Sequence, residues 1–439
     1  MAKREITKKE ENMTKKRIEE MLTMLAGRGS IIVFFIMAFE VMIMISPFAF
    51  FFYSVFNPIF KWLDQYTLTR WLTSFFLPHM ILPPTLFLKT VRVLGSAFFI
   101  IGFLAFIICA LQVYLGKIFK WGVANKGLYK YIRHPQYLAL GMWGIGMSIL
   151  WPRFTVLASL SLMFILYYFL AKDEQRRMLN QYADTYKDYM SNTGMFFPRF
   201  VERHFTFLGR IIPEAGLRHV AISAAIIVTV IGTGFALREI TLHSLYFESK
   251  SNITLLSMLP EDNRLDAVAL DTIVKARADG KLDMMDNGKD YLGYVMPGDY
   301  VMQGMIANTG DDFHLFKQHN TVMMIAEWAL HPFQHLRSSP SLHMAKMHNV
   351  DPAVARRHHC PLGINDPSLD CNTCSYRRVI IDEVTNGEGE HLTGRGLLSF
   401  DTARVPVAFI DINTKTREIV NVKRVEKATA WADVPTPAI

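Results

Sequence analysis

Long apolar stretches separated by short basic ones fill the first half of the chain, whereas the second half has the mixed pattern of a soluble domain. An apolar stretch of about 20 residues can cross a hydrocarbon core of about 30 Å as a helix. The pattern therefore predicts a polytopic α-helical membrane protein with about five spans. The predicted spans are residues 31–56, 91–115, 136–150, 155–170 and 219–237. The third and fourth are short and close together, which predicts a tightly turned helical hairpin.

Lysine and arginine are concentrated before the third span and after the fourth. Because cytoplasmic loops carry such an excess, we expect these loops and the N-terminus to be cytoplasmic, in a multi-pass plasma membrane or bacterial inner membrane. The predicted division is a cytoplasmic basic leader at residues 1–28, a membrane domain at 29–237, and an extracytoplasmic (in bacteria, periplasmic) domain at 238–439. Residues 56–89 would lie outside, and their Trp62, Trp71, Phe75 and Phe76 suggest an interfacial helix.

Composition limits the classes of function. The chain is 51% hydrophobic and has a formal charge of +8, so a disordered chain is excluded. The charge is typical of basic flanks beside membrane helices, and we expect lipids rather than nucleic acid as partners.

The tail after the last span predicts an α+β domain. A polar turn is expected at residues 283–290 and a helix at 321–336. Residues 378–384 predict a strand, and residues 405–422 predict a hairpin turning at Asn413, Thr414 and Lys415, because apolar positions alternate around that turn.

The most informative stretch runs from Gly127 to Tyr137, with the sequence GLYKYIRHPQY. Proline suits the first position of a helix, so Pro135 is expected to begin the third span and to place Arg133 and His134 at its entrance. The hairpin would then return the chain to the same surface at Asp173 and Glu174. From periodicity alone, such residues beside spans are more often interfacial anchors.

This order of residues resembles the membrane methyltransferases that include isoprenylcysteine carboxyl methyltransferases and phospholipid N-methyltransferases. The resemblance rests on the Gly127–Tyr137 stretch, the apolar hairpin, the acidic pair, and the later Tyr182, Tyr186 and Tyr189 before Pro198. It covers roughly residues 91–200. It departs at Asp173, where Glu is common, and at Ala139 and Ala183, where Gly is common.

The resemblance implies transfer of a methyl group from S-adenosylmethionine to a lipophilic or membrane-embedded acceptor. It implies that Arg133 and Glu174 are catalytic. The implied cofactor-binding residues are Tyr129, His134, Pro135, Tyr137, Asp173 and Glu174. The alternative is a non-catalytic accessory or assembly subunit of a larger membrane complex, using the methyltransferase-like part as a scaffold.

Two further features carry chemistry. Glu40 lies inside the first predicted span, where a carboxyl group indicates either a functional site or a protonated or snorkelling side chain.

In the tail, the donors of a possible zinc or other thiophilic metal site are His358, His359, Cys360, Cys371 and Cys374. Their spacing permits one ion to be shared, and one disulfide with a free thiol is the alternative in an oxidising compartment. Eight histidines lie between His314 and His359, and most are expected to be surface or locally satisfied residues, with copper or haem ligation as the alternative.

Overall fold

A computed structural model describes residues 62–79, 81–119, 125–205, 214–258, 263–297, 307–308, 376–387, 389–425 and 427–428. The predicted span at residues 31–56 with Glu40, the predicted helix at 321–336 and the predicted metal ligands His358, His359, Cys360, Cys371 and Cys374 lie outside the described residues.

Among the residues that the structure describes, four long helices form the membrane part. They are α1 (Leu86–Ile118), α2 (Pro135–Leu150), α3 (Phe154–Asn192) and α4 (Ala215–Ser244). Among the described residues, three helices are long and apolar enough to cross a membrane, and these are α1, α3 and α4. The 16-residue α2 forms the predicted hairpin with α3.

The predicted fourth span lies within α3, which continues beyond Leu170 to Asn192. Beyond Leu170 the helix becomes polar, and ion pairs on its surface stabilise it. Asp173 pairs with Arg176 at 2.6 Å and with Arg177 at 3.2 Å, one turn further along. Such pairs stabilise exposed helix. The apolar pattern had marked only the part of α3 suited to the bilayer.

Helices α1 and α2 approach each other at their glycines. A Cβ atom on Gly102 would lie 2.4 Å from the backbone nitrogen of Trp143, and one on Gly146 would lie 2.4 Å from that of Phe99. Small residues permit this distance, and close packing is a main source of helix association in lipid. The contact fixes α2 against α1.

The tail forms an α+β domain, as predicted. Its strands are β1 (Phe247–Lys250), β2 (Ile253–Ser257), β3 (Asp290–Pro297), β4 (Ala307–Asn308), β5 (Tyr376–Thr385), β6 (Ala403–Asn413), β7 (Glu418–Arg424) and β8 (Lys427–Ala428). Six strands form one sheet in the order β1-β2-β3-β5-β6-β7, and β4 pairs with β8. Only β2 and β3 are parallel within the six-stranded sheet, and the helix α5 (Asn263–Ala278) connects them. The predicted hairpin is confirmed as β6 and β7.

Each face of the sheet has a buried core. One core includes Leu270 and Ile273 of α5 packed with Leu255 and Tyr291. The other includes Tyr294 and Phe409 from the sheet, Leu398 and Leu82, and partly buried Leu242 near the end of α4. The second core therefore joins the sheet to the end of the membrane helices.

A buried segment, residues 73–79, lies at this junction. Phe75 and Phe76 are fully enclosed, so the expectation of an interfacial helix through them is wrong, although short helical turns occur at Thr67–Arg70 and Trp71–Thr73. His79 stacks on Phe75 with ring centroids 4.7 Å apart.

Three buried arginines hold this segment in place by donating to its carbonyl oxygens. Arg92 of α1 donates to Pro78 at 3.0 Å, and Arg153 from the α2–α3 turn donates to Thr73. Arg238 of α4 donates to the carbonyls of Phe75 and Leu398, the latter beside the sheet. Buried backbone carbonyls need such partners, and the three arginines supply them.

Candidate functional site

The site begins where the chain enters α2. Pro135 is the first residue of α2, as predicted, and His134 is the residue before the helix. The residues just before α2 pair with the segment that follows α3. The amide of Arg133 donates to the Gly194 carbonyl at 2.8 Å, and that of His134 donates to the Met195 carbonyl at 3.1 Å. These bonds close the two ends of the hairpin onto each other.

Three of the predicted side chains converge at the centre of the site. The Nδ1 atom of His134 lies 3.3 Å from Oε2 of Glu174, a close approach without the alignment of a hydrogen bond. The Tyr137 hydroxyl donates to the same carboxylate oxygen over 3.5 Å. His134 is buried, whereas a third of the Glu174 side chain is exposed. A ligand can therefore reach this carboxylate.

The neighbour that accompanies Glu174 into the site is Gln175. The amide nitrogen of Gln175 lies 3.1 Å from Nε2 of His134, and both side chains are buried. The Asp173 side chain is instead exposed beside Arg176 and Arg177. Consecutive residues of a helix are about 100° apart, so three in a row cannot all face one site.

The predicted Tyr129 side chain supports the site from behind. Its hydroxyl donates to Oε1 of Gln136 at 3.0 Å and to the Cys109 carbonyl at 3.3 Å. Tyr189 donates to the Tyr129 carbonyl at 2.6 Å. Burial raises the pKa of the Tyr129 phenol above its ordinary value, so it remains a neutral hydrogen-bond donor.

The Arg133 side chain lies at the end of α3. Its Nη1 atom donates to the carbonyls of Met190, at 3.1 Å, and of Thr193. These are among the last carbonyls of the helix, which have no partner within it. Burial lowers the pKa of the Arg133 guanidinium from its usual range. The structure therefore gives Arg133 a role in closing the site.

An aromatic stack extends from the site along α3. The Tyr137 ring lies between His134, with centroids 5.6 Å apart, and Tyr167, at 4.9 Å. The Tyr167 hydroxyl is buried and has no hydrogen-bond partner among the residues that the structure describes. Phe196 lies 6.2 Å from the His134 ring. The site is thus polar at Glu174 and aromatic beside it.

A backbone irregularity explains one departure from the expected pattern. Ala183 lies inside α3 with φ of 36° and ψ of −111°, where the helix is kinked. Glycine adopts positive φ without the steric cost of a Cβ atom. The glycine expected at this position would therefore suit the kink better than alanine.

Sequence reasoning missed four residues that build the site. Tyr167 lies in the apolar part of α3 and Gln136 at the start of the apolar α2, so a polar group at membrane depth was the available signal for these two, whereas Gln175 lies in the charged run 172–177 and carried no such signal. Glu202 carried no such signal either. Its carboxylate accepts hydrogen bonds from the backbone amides of residues 195, 196 and 197, a contact formed only after folding.

Comparison with known proteins found one family model that matches the segment containing this site. Residues 105–180 match the model of the Isoprenylcysteine carboxyl methyltransferase (ICMT) family. The match covers the second half of α1, all of α2 and α3 as far as residue 180, and so includes Tyr129, His134, Tyr137 and Glu174. The resemblance stated from the motif is thereby confirmed, and this part of the membrane domain is methyltransferase-like. Searches of curated proteins and of solved structures gave no match.

Within the described ranges, no three His, Cys, Asp or Glu side chains group closely enough to hold a metal ion. The predicted metal ligands lie outside those ranges, so that prediction stays a prediction. Cys109 is a free, buried thiol, as expected for packing in a span.

Proposed function

We propose that the chain transfers a methyl group from S-adenosylmethionine to a lipophilic acceptor in the membrane. The observation that carries the proposal is the convergence of His134 and Tyr137 on the partly exposed Glu174, inside the segment that matches a methyltransferase family.

The donor set fits the cofactor. S-adenosylmethionine carries a sulfonium and an ammonium group, and Glu174 offers a carboxylate that a ligand can reach. The hydroxyl of Tyr137 contacts that carboxylate and its ring stacks on Tyr167, and a desolvated contact between a cation and such a ring is worth about 2 kcal/mol. The buried Tyr167 hydroxyl is a further polar group without a partner among the described side chains.

When bound, the cofactor would supply an electrophilic methyl group for direct displacement. The protein's part is to bind, to orient and to exclude water. Glu174 holds positive charge at the rim, while the stacked rings of His134 and Tyr137 limit the positions a ligand can take. Arg133 ties the end of α3 to the entrance of α2. Fixed orientation in a water-poor site accounts for large rate increases without a covalent enzyme intermediate.

Calorimetric titration of the purified chain with S-adenosylhomocysteine tests the proposal. Glu174→Gln should weaken binding about tenfold, since a lost charged hydrogen-bond partner costs about 1–3 kcal/mol. Asp173→Asn is the matched control, because the Asp173 side chain is exposed and paired on the helix surface. It should bind as the wild type does. A wild-type chain that binds neither S-adenosylhomocysteine nor S-adenosylmethionine would refute the proposal.

That result would favour the second candidate, a non-catalytic subunit of a membrane complex. The observation behind this candidate is the shared core between the sheet and the end of α4, which joins the tail to the membrane part and would let it serve as a platform for other subunits.

We further propose that the tail is extracytoplasmic. Phe154, at the start of α3, packs against Phe400 of the tail with centroids 5.8 Å apart. Glu174 lies 20 residues further along the same helix, about 30 Å away. The basic loops lie at the Glu174 end, and basic loops are typically cytoplasmic. A reporter after residue 439 should be active only outside the cytoplasm, and activity inside would reverse this orientation.

The metal site of the tail remains part of the proposal. Cys371→Ser should release a bound zinc ion and increase proteolysis around residues 349–378. A metal-free chain with two of the three tail cysteines oxidised would replace the ion by a disulfide.

A further inference from the structure

Two consecutive residues of α3 contact opposite edges of one imidazole. Glu174 lies 3.3 Å from Nδ1 of His134, and the Gln175 amide nitrogen lies 3.1 Å from Nε2. His134 is 2% exposed, so the polar contacts of its ring are made within the protein. The ring is therefore held from two sides by one helix, although it belongs to the entrance of another.

The chemistry of the two partners assigns the proton of a neutral imidazole. An amide nitrogen only donates, so Nε2 of His134 accepts from Gln175 and the ring proton is on Nδ1. A carboxylate attracts such a proton, and Oε2 of Glu174 lies 3.3 Å from Nδ1, so the attraction across this contact is electrostatic rather than that of an aligned hydrogen bond. The partner of one ring nitrogen commonly fixes what the other can do.

We infer that Gln175 is a positioning residue, which holds His134 with its Nδ1 proton toward Glu174 and so fixes the carboxylate that binds the cofactor. The role in catalysis rests on the proposed function, whereas the hold on the ring does not. The polar groups that α3 brings to His134 are thus the Glu174 carboxylate and the Gln175 amide, whereas the Asp173 carboxylate pairs with Arg176 and Arg177 on the helix surface.

The surroundings of the ring support this assignment. From α2, Tyr137 stacks on His134, and from the segment after α3, Phe196 approaches it. Neither ring face offers a hydrogen bond in the plane of the imidazole. The Arg133 side chain, next in sequence, is directed to the carbonyls at the end of α3. Among these neighbours Gln175 is the one with a hydrogen-bonding contact to Nε2.

The test uses the full chain in detergent micelles, labelled with ¹⁵N-histidine, and His134→Ala identifies the signals of this ring. The wild type should show the Nδ1-protonated tautomer. Gln175→Leu should give a mixture of tautomers, and Gln175→Glu should increase the doubly protonated form, since a second carboxylate favours the imidazolium. A spectrum unchanged in both variants would overturn the proposal, whether or not the chain binds a cofactor.

Binding of S-adenosylhomocysteine gives the second readout. Gln175→Leu should weaken binding about fivefold in the wild-type background and have no further effect in the His134→Ala background, because the residue acts through that ring. Equal losses in both backgrounds would overturn the positioning role. If the wild type fails to bind S-adenosylhomocysteine while the tautomer responds as expected, the proposed function fails and the hold on His134 stands.

Discussion

The close approach of α1 and α2 gives the sharpest stability prediction. Replacing Gly102 by alanine places a Cβ atom 2.4 Å from the backbone nitrogen of Trp143 and 2.9 Å from the carbonyl oxygen of Ala139. Non-bonded heavy atoms prefer separations of about 3.5–4.0 Å. The two backbones would therefore have to separate by about 1 Å, and neither can rotate away as a side chain could. Overpacking of this kind costs about 1–3 kcal/mol.

Gly232 provides the matched control. It lies in α4, and a Cβ atom there would meet no heavy atom within 4 Å among the described residues. Because alanine also favours helix by about 1 kcal/mol over glycine, Gly232→Ala should be neutral or stabilising.

The assay is unfolding of the full chain in mixed micelles of increasing SDS fraction, followed by circular dichroism. Gly102→Ala should unfold at a lower SDS fraction than the wild type, and Gly232→Ala should not. The separation of α1 from α2 should also weaken S-adenosylhomocysteine binding, because the Cys109 carbonyl of α1 supports Tyr129. Identical unfolding curves for the two variants would refute the argument that the backbones are in contact.

Three further predictions concern buried polar groups. Tyr129→Phe removes a hydroxyl that has partners and should cost about 1–2 kcal/mol, whereas Tyr167→Phe removes one with none among the described residues and should not reduce stability; equal losses in SDS unfolding would contradict this. Burial raises the pKa of Asp382 to about 7, so the stability that its protonated form contributes is fully present below about pH 4 and lost as pH rises through about 7. Asp382→Asn should abolish that part of the pH dependence, and unfolding curves with the same pH slope as the wild type would rule this out. Arg238→Met removes donors to two buried carbonyls and should cost about 3 kcal/mol and increase proteolysis of the sheet domain, while Arg424→Met, at an exposed ion pair, should leave the digestion pattern unchanged; equal digestion of both variants would count against the junction.

The sequence was most informative where a single local rule decides the structure. The hairpin of α2 and α3 follows from two apolar stretches separated by a short turn, and Pro135 begins α2 because a proline lacks the amide that the first turn leaves unpaired. The β6–β7 hairpin follows from alternation around Asn413. The motif also indicated that His134, Tyr137 and Glu174 would meet, since a hairpin returns to the surface from which it starts.

The sequence pattern could not predict how a helix is rotated about its own axis, nor which distant segments come into contact. Asp173 and Gln175 are equally near Glu174 along the chain, and only the rotation of α3 about its axis brings Gln175, rather than Asp173, to His134. Likewise, an aromatic residue such as Phe75 is typical of a membrane interface, and only the tertiary structure shows that it is buried.

The sequence by itself determined which segments are apolar enough to leave water and where the chain turns between them, because burial of apolar groups and backbone geometry act locally. The tertiary structure decided which polar groups inside those segments find partners. Arg238 illustrates the reason, since its guanidinium is stable in the interior only because carbonyls 160 and 163 positions away in the chain reach it. Such a pairing depends on how the elements pack, and no neighbouring residue in the sequence specifies it.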